Sequence, residues 1–226
     1  MCGRFSQSLI GDVIAEAFQL VEIPDWQPRY NIAPTQTIPA IVAAESGNRQ
    51  FKPLRWGLIP SWSKDPAIGA KLINARSETV TEKPSFRSAF KQRRCLILAD
   101  GFYEWRKQSG KKQPFYFRLE DSSPFAFAGL WERWHDSEDD RLETCTILTT
   151  EANQTVAQVH DRMPVILHAD SYDRWLDPSQ PLESLQALLC PYDSNLMTAY
   201  PVNSSVNSPW NDTPDCTVPL VEPMAT

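Results

Sequence analysis

The sequence predicts one α+β domain, and three observations carry that prediction. The chain has 226 residues, 42% of them hydrophobic, which is enough for a substantial core in one large domain or two small ones. Its middle is dense in short apolar or alternating runs of strand type, while runs of helical spacing lie before and after it. Nineteen prolines against eight glycines indicate rigid loops between these elements, and there is no internal repeat or low-complexity stretch to mark a second unit. Residues 1–226 are therefore taken as a single domain, with 210–226 a polar, proline-rich tail that is loose or draped.

Leu9, Ile10, Val13, Ile14, Ala17 and Phe18 recur at spacings of three and four, which predicts an amphipathic helix over 8–20, capped by Ser6 or Ser8. Residues 24–36 (PDWQPRYNIAPTQ) hold three prolines and are expected to form an ordered loop without a regular element. A strand follows over Ile38 to Ala44, with a turn over Glu45 to Gln50. The apolar run Pro53 to Trp62 contains two tryptophans, and Pro60 should end any strand there. Trp62 stands among Ser, Lys and Pro, where an aromatic serves as readily for stacking as for filling a core.

If residues 71–78 (KLINARSE) are extended, Asn74 and Arg76 share one side; the plainer reading is a turn Asn and a surface Arg. Pro84 to Arg94 reads as a helix and Cys95 to Ala99 as a strand, with a turn at Asp100-Gly101. Alternation in the next run puts Phe102, Glu104 and Arg106 on one face, and Tyr103 and Trp105 on the other. Glu104 is thus a carboxylate among aromatics, where partial desolvation would raise its pKa toward the range useful for general acid or base work. From this segment alone, an edge-strand Glu paired with Arg106 is the preferred reading.

Strands are predicted over Pro114 to Glu120, Pro124 to Trp134 and Glu143 to Thr150, with the acidic run Asp136 to Glu143 as a solvated hairpin loop. A helix over Glu151 to Gln158 leads to His160, Asp161, Arg162, Met163 and Pro164, then a strand over Val165 to Leu167. His160 and Arg162 at a proline-held strand mouth suit a functional loop, whereas His135 and His168 read as structural. Helices over 171–176 and 182–189 and a strand over 196–202 complete the domain.

The chemistry begins at the other end of the chain. Cys2 follows the initiator methionine, so loss of Met1 makes it the amino terminus and gives it two nucleophiles, a thiol and an α-amine. Such a 1,2-aminothiol condenses with an aldehyde to an imine, which the thiol closes to a thiazolidine; alternatively the amine acts as base for a thiol attacking an amide. A lone terminal cysteine is more often inert. Phe5 as an apolar anchor and Gly3 as a point of close approach argue that this terminus is packed.

Composition excludes several classes. The five cysteines are odd in number, widely spaced and never C-x-x-C, against a disulfide framework or zinc site, and three histidines make metal catalysis improbable on composition. No apolar run approaches a membrane span and no secretory signal is visible, so a soluble intracellular protein without membrane contact is expected. The net charge of −6 opposes nucleic-acid binding unless a basic face is local.

Cys2-Gly3-Arg4-Phe5, PRYNIAPTQ (28–36), RWGLIPSW (55–62), NARSET (74–79), ADGFYEW (99–105) and HDRMP (160–164), in this order and spacing over nearly the whole chain, together resemble the SOS-response-associated peptidase (SRAP) family. The resemblance implies a curved, mainly antiparallel, barrel-like core with peripheral helices and an active cleft around the free amino terminus. It implies a protein that shields abasic sites in single-stranded DNA by a covalent bond from Cys2, exposed by a peptidase-type removal of Met1. By the same resemblance Glu104 is the acid/base, His160 its proton-shuttling partner and Asn74 the residue orienting the Cys2 amine and the sugar. Arg76 and Arg162 are phosphate clamps, Trp105 and Pro34 lie beside the flanking bases, and Arg4 and Trp62 join the groove. A cofactor-free, metal-free monomer acting on DNA in the cytoplasm and nucleoid is the expectation. Two alternatives stay open: an N-terminal-nucleophile amidohydrolase, since class II glutamine amidotransferases also begin Met-Cys-Gly, and a noncatalytic single-strand binder.

Overall fold

Residues 2–21, 26–44, 47–108, 110–135 and 141–220 are described by the computed structural model of the chain. Among them the strands are β1 (Phe5–Gln7), β2 (Arg29–Ile32), β3 (Thr37–Ala43), β4 (Arg49–Trp56), β5 (Asn74–Arg76), β6 (Arg94–Ala99), β7 (Gly101–Gln108), β8 (Lys111–Leu119), β9 (Phe125–His135), β10 (Arg141–Glu151), β11 (Arg162–Pro164), β12 (Ile166–Leu167) and β13 (Met197–Pro201). The helices are short: α1 (Gly11–Phe18), α2 (Arg87–Gln92), α3 (Gln154–Ala157), α4 (Tyr172–Leu176) and α5 (Leu182–Gln186).

Strands β10, β4, β3, β6 and β9 follow one another by hydrogen bonding, and β9 pairs back onto β10, so these five close into a barrel. All its joints are antiparallel except β4 with β10. Period-two alternation decides its two faces. Ile38, Ala40 and Val42 of β3, Leu54 and Trp56 of β4, Ile97 of β6, Phe127 of β9 and Ile147 of β10 fill the inside. The alternate residues Ile41, Leu96, Leu98, Ala128 and Leu148 pack outside against Ile14 and Phe18 of α1, Phe90 of α2, Trp175 of α4 and Leu185 of α5. Since both faces are covered, β6 is buried at every position.

A second sheet, ordered β13-β8-β7-β1-β2, lays Phe5, Phe102, Phe117 and Met197 onto the same inner cluster. Its other face, with Tyr103 and Tyr116, is covered by Val202, Val206 and Cys216 of the C-terminal segment.

Several expected elements differ from those observed. The segment read as an irregular loop contains β2, paired antiparallel with β1; Pro28 and Pro34 flank this strand and interrupt none of its hydrogen bonds. Helix α1 starts at Gly11, and neither serine caps it, because Asp100 takes both. The Ser6 hydroxyl donates to Asp100 Oδ1 at 2.5 Å, and the Ser8 hydroxyl and Leu9 N–H donate to Oδ2 at 2.8 and 2.9 Å. The remaining helices are likewise shorter than their apolar patterns suggested; the strand expected over 165–167 is β12, paired with β9, and a further short strand, β11, forms on β10 within the segment 160–164 read as a loop. Glu104 is not on an edge, since β7 lies between β8 and β1. Residues 45–46, within the expected turn, and 136–140, within the expected acidic loop, lie outside the described residues. No helix among those described is long and apolar enough to cross a membrane.

Candidate active site

Cys2 is wholly buried in the inner cluster, together with Phe5, Trp56 and Phe102. Its seat follows from β1, which is held by β2 on one side and β7 on the other and pinned at its far end by Asp100. The thiol donates weakly to the Arg4 carbonyl at 3.9 Å. Burial pushes the thiol well above its ordinary pKa, and the nearby charge of Glu104 pushes it further.

Glu104 shares a face of β7 with Phe102, so it points to the same interior and is only 3% exposed. Burial raises its carboxyl pKa, while the field of His160 acts in the opposite direction. His160 Nε2 stands 4.0 Å from Glu104 Oε2. The backbone N–H of Arg162 donates to His160 Nδ1 at 3.0 Å, so a neutral ring carries its hydrogen on Nε2, on the Glu104 side. Asp161 Oδ1 also lies 3.0 Å from Nδ1 and accepts from it when the ring takes a second proton. This loop is fixed at both ends: Asn153 caps α3 through the Val156 N–H at 3.0 Å, and Arg162 of β11 lies opposite Glu151 of β10.

Asn74 lies on β5, which adds in parallel to β10 opposite Ile147, a member of the cluster that holds Cys2. Ala75 turns to the outer cluster, so Asn74 and Arg76 do share the other side. Both Oδ1 and Nδ2 of Asn74 are buried with no hydrogen-bond partner among the described residues. A buried carboxamide left so is costly unless a ligand completes it.

The expected DNA contacts are placed as follows. Arg76 is exposed opposite Thr149. Arg162 is bidentate on Glu78, with Nη2 to Oε2 at 3.0 Å, and donates to the Thr149 carbonyl at 2.7 Å. Trp105 is half-buried, its Nε1–H donating to Asn207 Oδ1 at 2.7 Å. Trp62 is 59% exposed, in contrast to the fully buried Trp56. Pro34 is half-buried in the turn after β2, where the next residue, Thr35, has φ 73° and donates to the Trp56 carbonyl at 2.8 Å. Arg4 is turned inward: its guanidinium donates to Asn31 Oδ1 and the Val206 carbonyl, both at 2.8 Å, and to the Asn207 carbonyl at 3.3 Å. The visible work of Arg4 is therefore to tie the C-terminal segment to β1. His168 stacks on Tyr192 at 4.4 Å.

The fold thus gathers Cys2, Glu104 and His160, with Asn74 facing the same core, and sets Arg162 against Glu78. Glu78 and Asn207 were not singled out from the sequence. Glu78 carried a signal, an acid two residues beyond Arg76 on the same short segment; Asn207 carried none. Among the described residues, no three His, Cys, Asp or Glu side chains are grouped to hold a metal ion.

Residues 1–209 match the model of the SOS response associated peptidase (SRAP) family. The chain is 49% identical to the abasic site processing protein YoaM of Bacillus subtilis over 94% of this chain and 95% of YoaM. It is 33% identical to the abasic site processing protein HMCES of Xenopus tropicalis, over 98% of this chain and 79% of HMCES. Among solved structures it is similar to a protein from Bacteroides thetaiotaomicron, with a TM-score of 0.87 and 28% identity over 97% of this chain and 100% of that one. A family match over most of the length, a relative at 49% identity across nearly both chains and a shared fold lead to one conclusion: the chain belongs to the SRAP family.

Proposed function

We propose that this protein recognises abasic sites in single-stranded DNA and bonds to them covalently through Cys2, after a peptidase-type step has removed Met1. The observation that carries the reading is the seat of Cys2 at the start of the chain, buried beside Glu104 with His160 behind it. The names of the relatives, abasic site processing proteins, supply the substrate.

The α-amine of Cys2 is tied up in the Met1–Cys2 peptide bond until that bond is hydrolysed. Once free, it adds to the aldehyde of the ring-opened sugar, and the carbinolamine loses one water to give an imine. The thiol then adds to the imine carbon, its proton passes to the nitrogen, and the ring closes as a thiazolidine. Glu104 holds a proton more readily than an exposed carboxyl does, which suits it to protonate the ring oxygen and the leaving water. His160 returns that proton from Nε2 while a second proton, taken up at Nδ1 beside Asp161, keeps the ring neutral. Asn74 offers one donor and one acceptor to the sugar and the Cys2 amine. Arg76 and Arg162 hold the flanking phosphates; Trp105 and Trp62 stack with neighbouring bases, each worth about 1–3 kcal/mol without regard to sequence, and Pro34 lies beside a flanking base. No metal or cofactor enters the scheme, and the protein works as a monomer on DNA in the cytoplasm and nucleoid.

The test is denaturing electrophoresis with intact-mass analysis after incubation with abasic and intact single-stranded oligonucleotides. Expected is a protein lacking Met1 that gains the mass of the abasic strand less one water, and gains nothing from the intact strand or in Cys2→Ala. Absence of an adduct, or one that survives Cys2→Ala, overturns the reading; glutaminase activity in its place would assign the chain to N-terminal amidohydrolases.

A further inference from the structure

Arg162 is already engaged before any DNA arrives. Nη1 and Nη2 both donate to the Glu78 carboxylate, Nη2 also donates to the Thr149 carbonyl at 2.7 Å, and Nε is buried with no partner among the described residues. A guanidinium has five N–H donors in a fixed fork, of which three are engaged here; the buried Nε–H and one hydrogen on Nη1 remain. The Arg162 side chain is 14% exposed, that of Glu78 51%. Arg76 stands close enough for its charge to act on Glu78 as well. One carboxylate therefore faces the two arginines proposed to grip the DNA backbone.

We propose that Glu78 is a specificity-determining residue, an internal anion that a DNA phosphate must displace from Arg162. The inference rests on the reading of the cleft given above. A phosphate that replaces Glu78 exchanges one anion for another on the same fork, with little net electrostatic gain. A phosphate that meets an uncompensated guanidinium adds a new ion pair and releases counterions from the strand. Glu78 thus weakens the part of binding that every single strand shares, and leaves the decision to contacts that only a lesion makes, with Asn74, Glu104 and Cys2.

The experiment compares wild type, Glu78→Gln, Arg162→Gln and the double variant for affinity to an intact single-stranded oligonucleotide across a salt series, by fluorescence anisotropy. Glutamine keeps the shape of Glu78 and removes its charge. Glu78→Gln is expected to bind about 5- to 20-fold more tightly at low salt, and its log-log salt slope to steepen by about 0.7, the value for one further neutralised phosphate on a single strand. The double variant is expected to fall back to the affinity of Arg162→Gln. A loss of packing alone would not tighten binding. Unchanged or weaker binding in Glu78→Gln, or a gain that survives Arg162→Gln, overturns the proposal. Adduct formation by wild type with an abasic strand is followed in parallel: its absence brings down the chemistry assigned to Cys2, while the affinities for intact DNA still decide the role of Glu78.

Discussion

Glu104 and Asn74 are polar side chains held where an apolar residue would be more comfortable, and this is the signature of a site maintained at some expense to the fold. For Glu104 the sign of that expense is testable. Burial lifts its pKa above the ordinary glutamate value of 4.5, so the folded state holds the proton more tightly than the unfolded chain does. Stability is then lost as pH rises from the unfolded pKa to the folded one, and stays lost above both. Glu104→Gln is expected to raise the melting temperature at pH 7, each 1 kcal/mol showing as about 2–4 °C. That gain should shrink as pH falls below the raised folded value, and its charge-dependent part should be gone once pH is below about 4.5. A gain that is the same at every pH would show that the carboxyl is not desolvated. At this scale the sequence was partly legible. Cys2 stands out by its place directly behind Met1, and the reactions open to a thiol beside an α-amine follow from that pairing without reference to the fold. Glu104 against His160 was not legible from either segment, since only the meeting of β7 with the loop after α3 brings them to 4.0 Å. The grip of Glu78 on Arg162 stayed hidden for the same reason.

Among the elements, β1 depends on a segment from the far end of the chain. Asn31 of β2 is fully buried, and its Nδ2 lies 3.1, 3.0 and 2.7 Å from the carbonyls of Val206, Ser208 and Asn211, while its Oδ1 accepts from Arg4. Asp212 accepts from the backbone N–H of Asn31 at 2.9 Å and pairs with Arg29. The segment from Val206 to Asp212 is thereby stitched across β1 and β2, and Asn207 reaches on to Trp105. Asn31→Ala would remove the hydrogen bonds made by Nδ2 and Oδ1, at about 0.5–1.5 kcal/mol each and more for the one from the charged Arg4, so a total loss of about 2–4 kcal/mol is expected in urea unfolding. Because Arg4 stands two residues from Cys2, the same variant should also slow adduct formation with an abasic strand. A variant as stable as wild type would show that the segment rests on β1 without holding it. Three prolines in 24–36 argue for an irregular loop, whereas Pro28 and Pro34 bracket a four-residue strand. The described part of the polar tail, residues 210–220, is held chiefly through hydrogen bonds between side chains and backbone, which leave no apolar periodicity to read.

The whole molecule is organised by a closed five-stranded barrel, and its strand order could not be derived from pattern alone. Helix-type spacing, alternation and continuous apolar runs marked most elements, but β8 and β9 are consecutive in sequence and belong to different sheets, and β4 meets β10 in parallel. Closure is set by packing at points where neighbouring strands of the wall crowd one another. Gly129 of β9 is such a point, opposite Cys95 of β6 on one side and Ile147 of β10 on the other. A Cβ there would lie 2.7 Å from Cys95 Sγ and 2.8 Å from Ile97 Cδ1, closer than side chains tolerate. Gly129→Ala is therefore expected to cost about 1–3 kcal/mol by overpacking. Cys95→Ala alone removes a buried sulfur and also destabilises, yet in the double variant the missing sulfur makes room for the new methyl. The two losses should then sum to less than their separate values, with a coupling of about 0.5–3 kcal/mol in a double-mutant cycle of urea unfolding. Strictly additive losses would mean that Gly129 and Cys95 do not meet inside the barrel, and the closure of β9 between β6 and β10, on which the placing of Cys2 against Glu104 depends, would have to be redrawn.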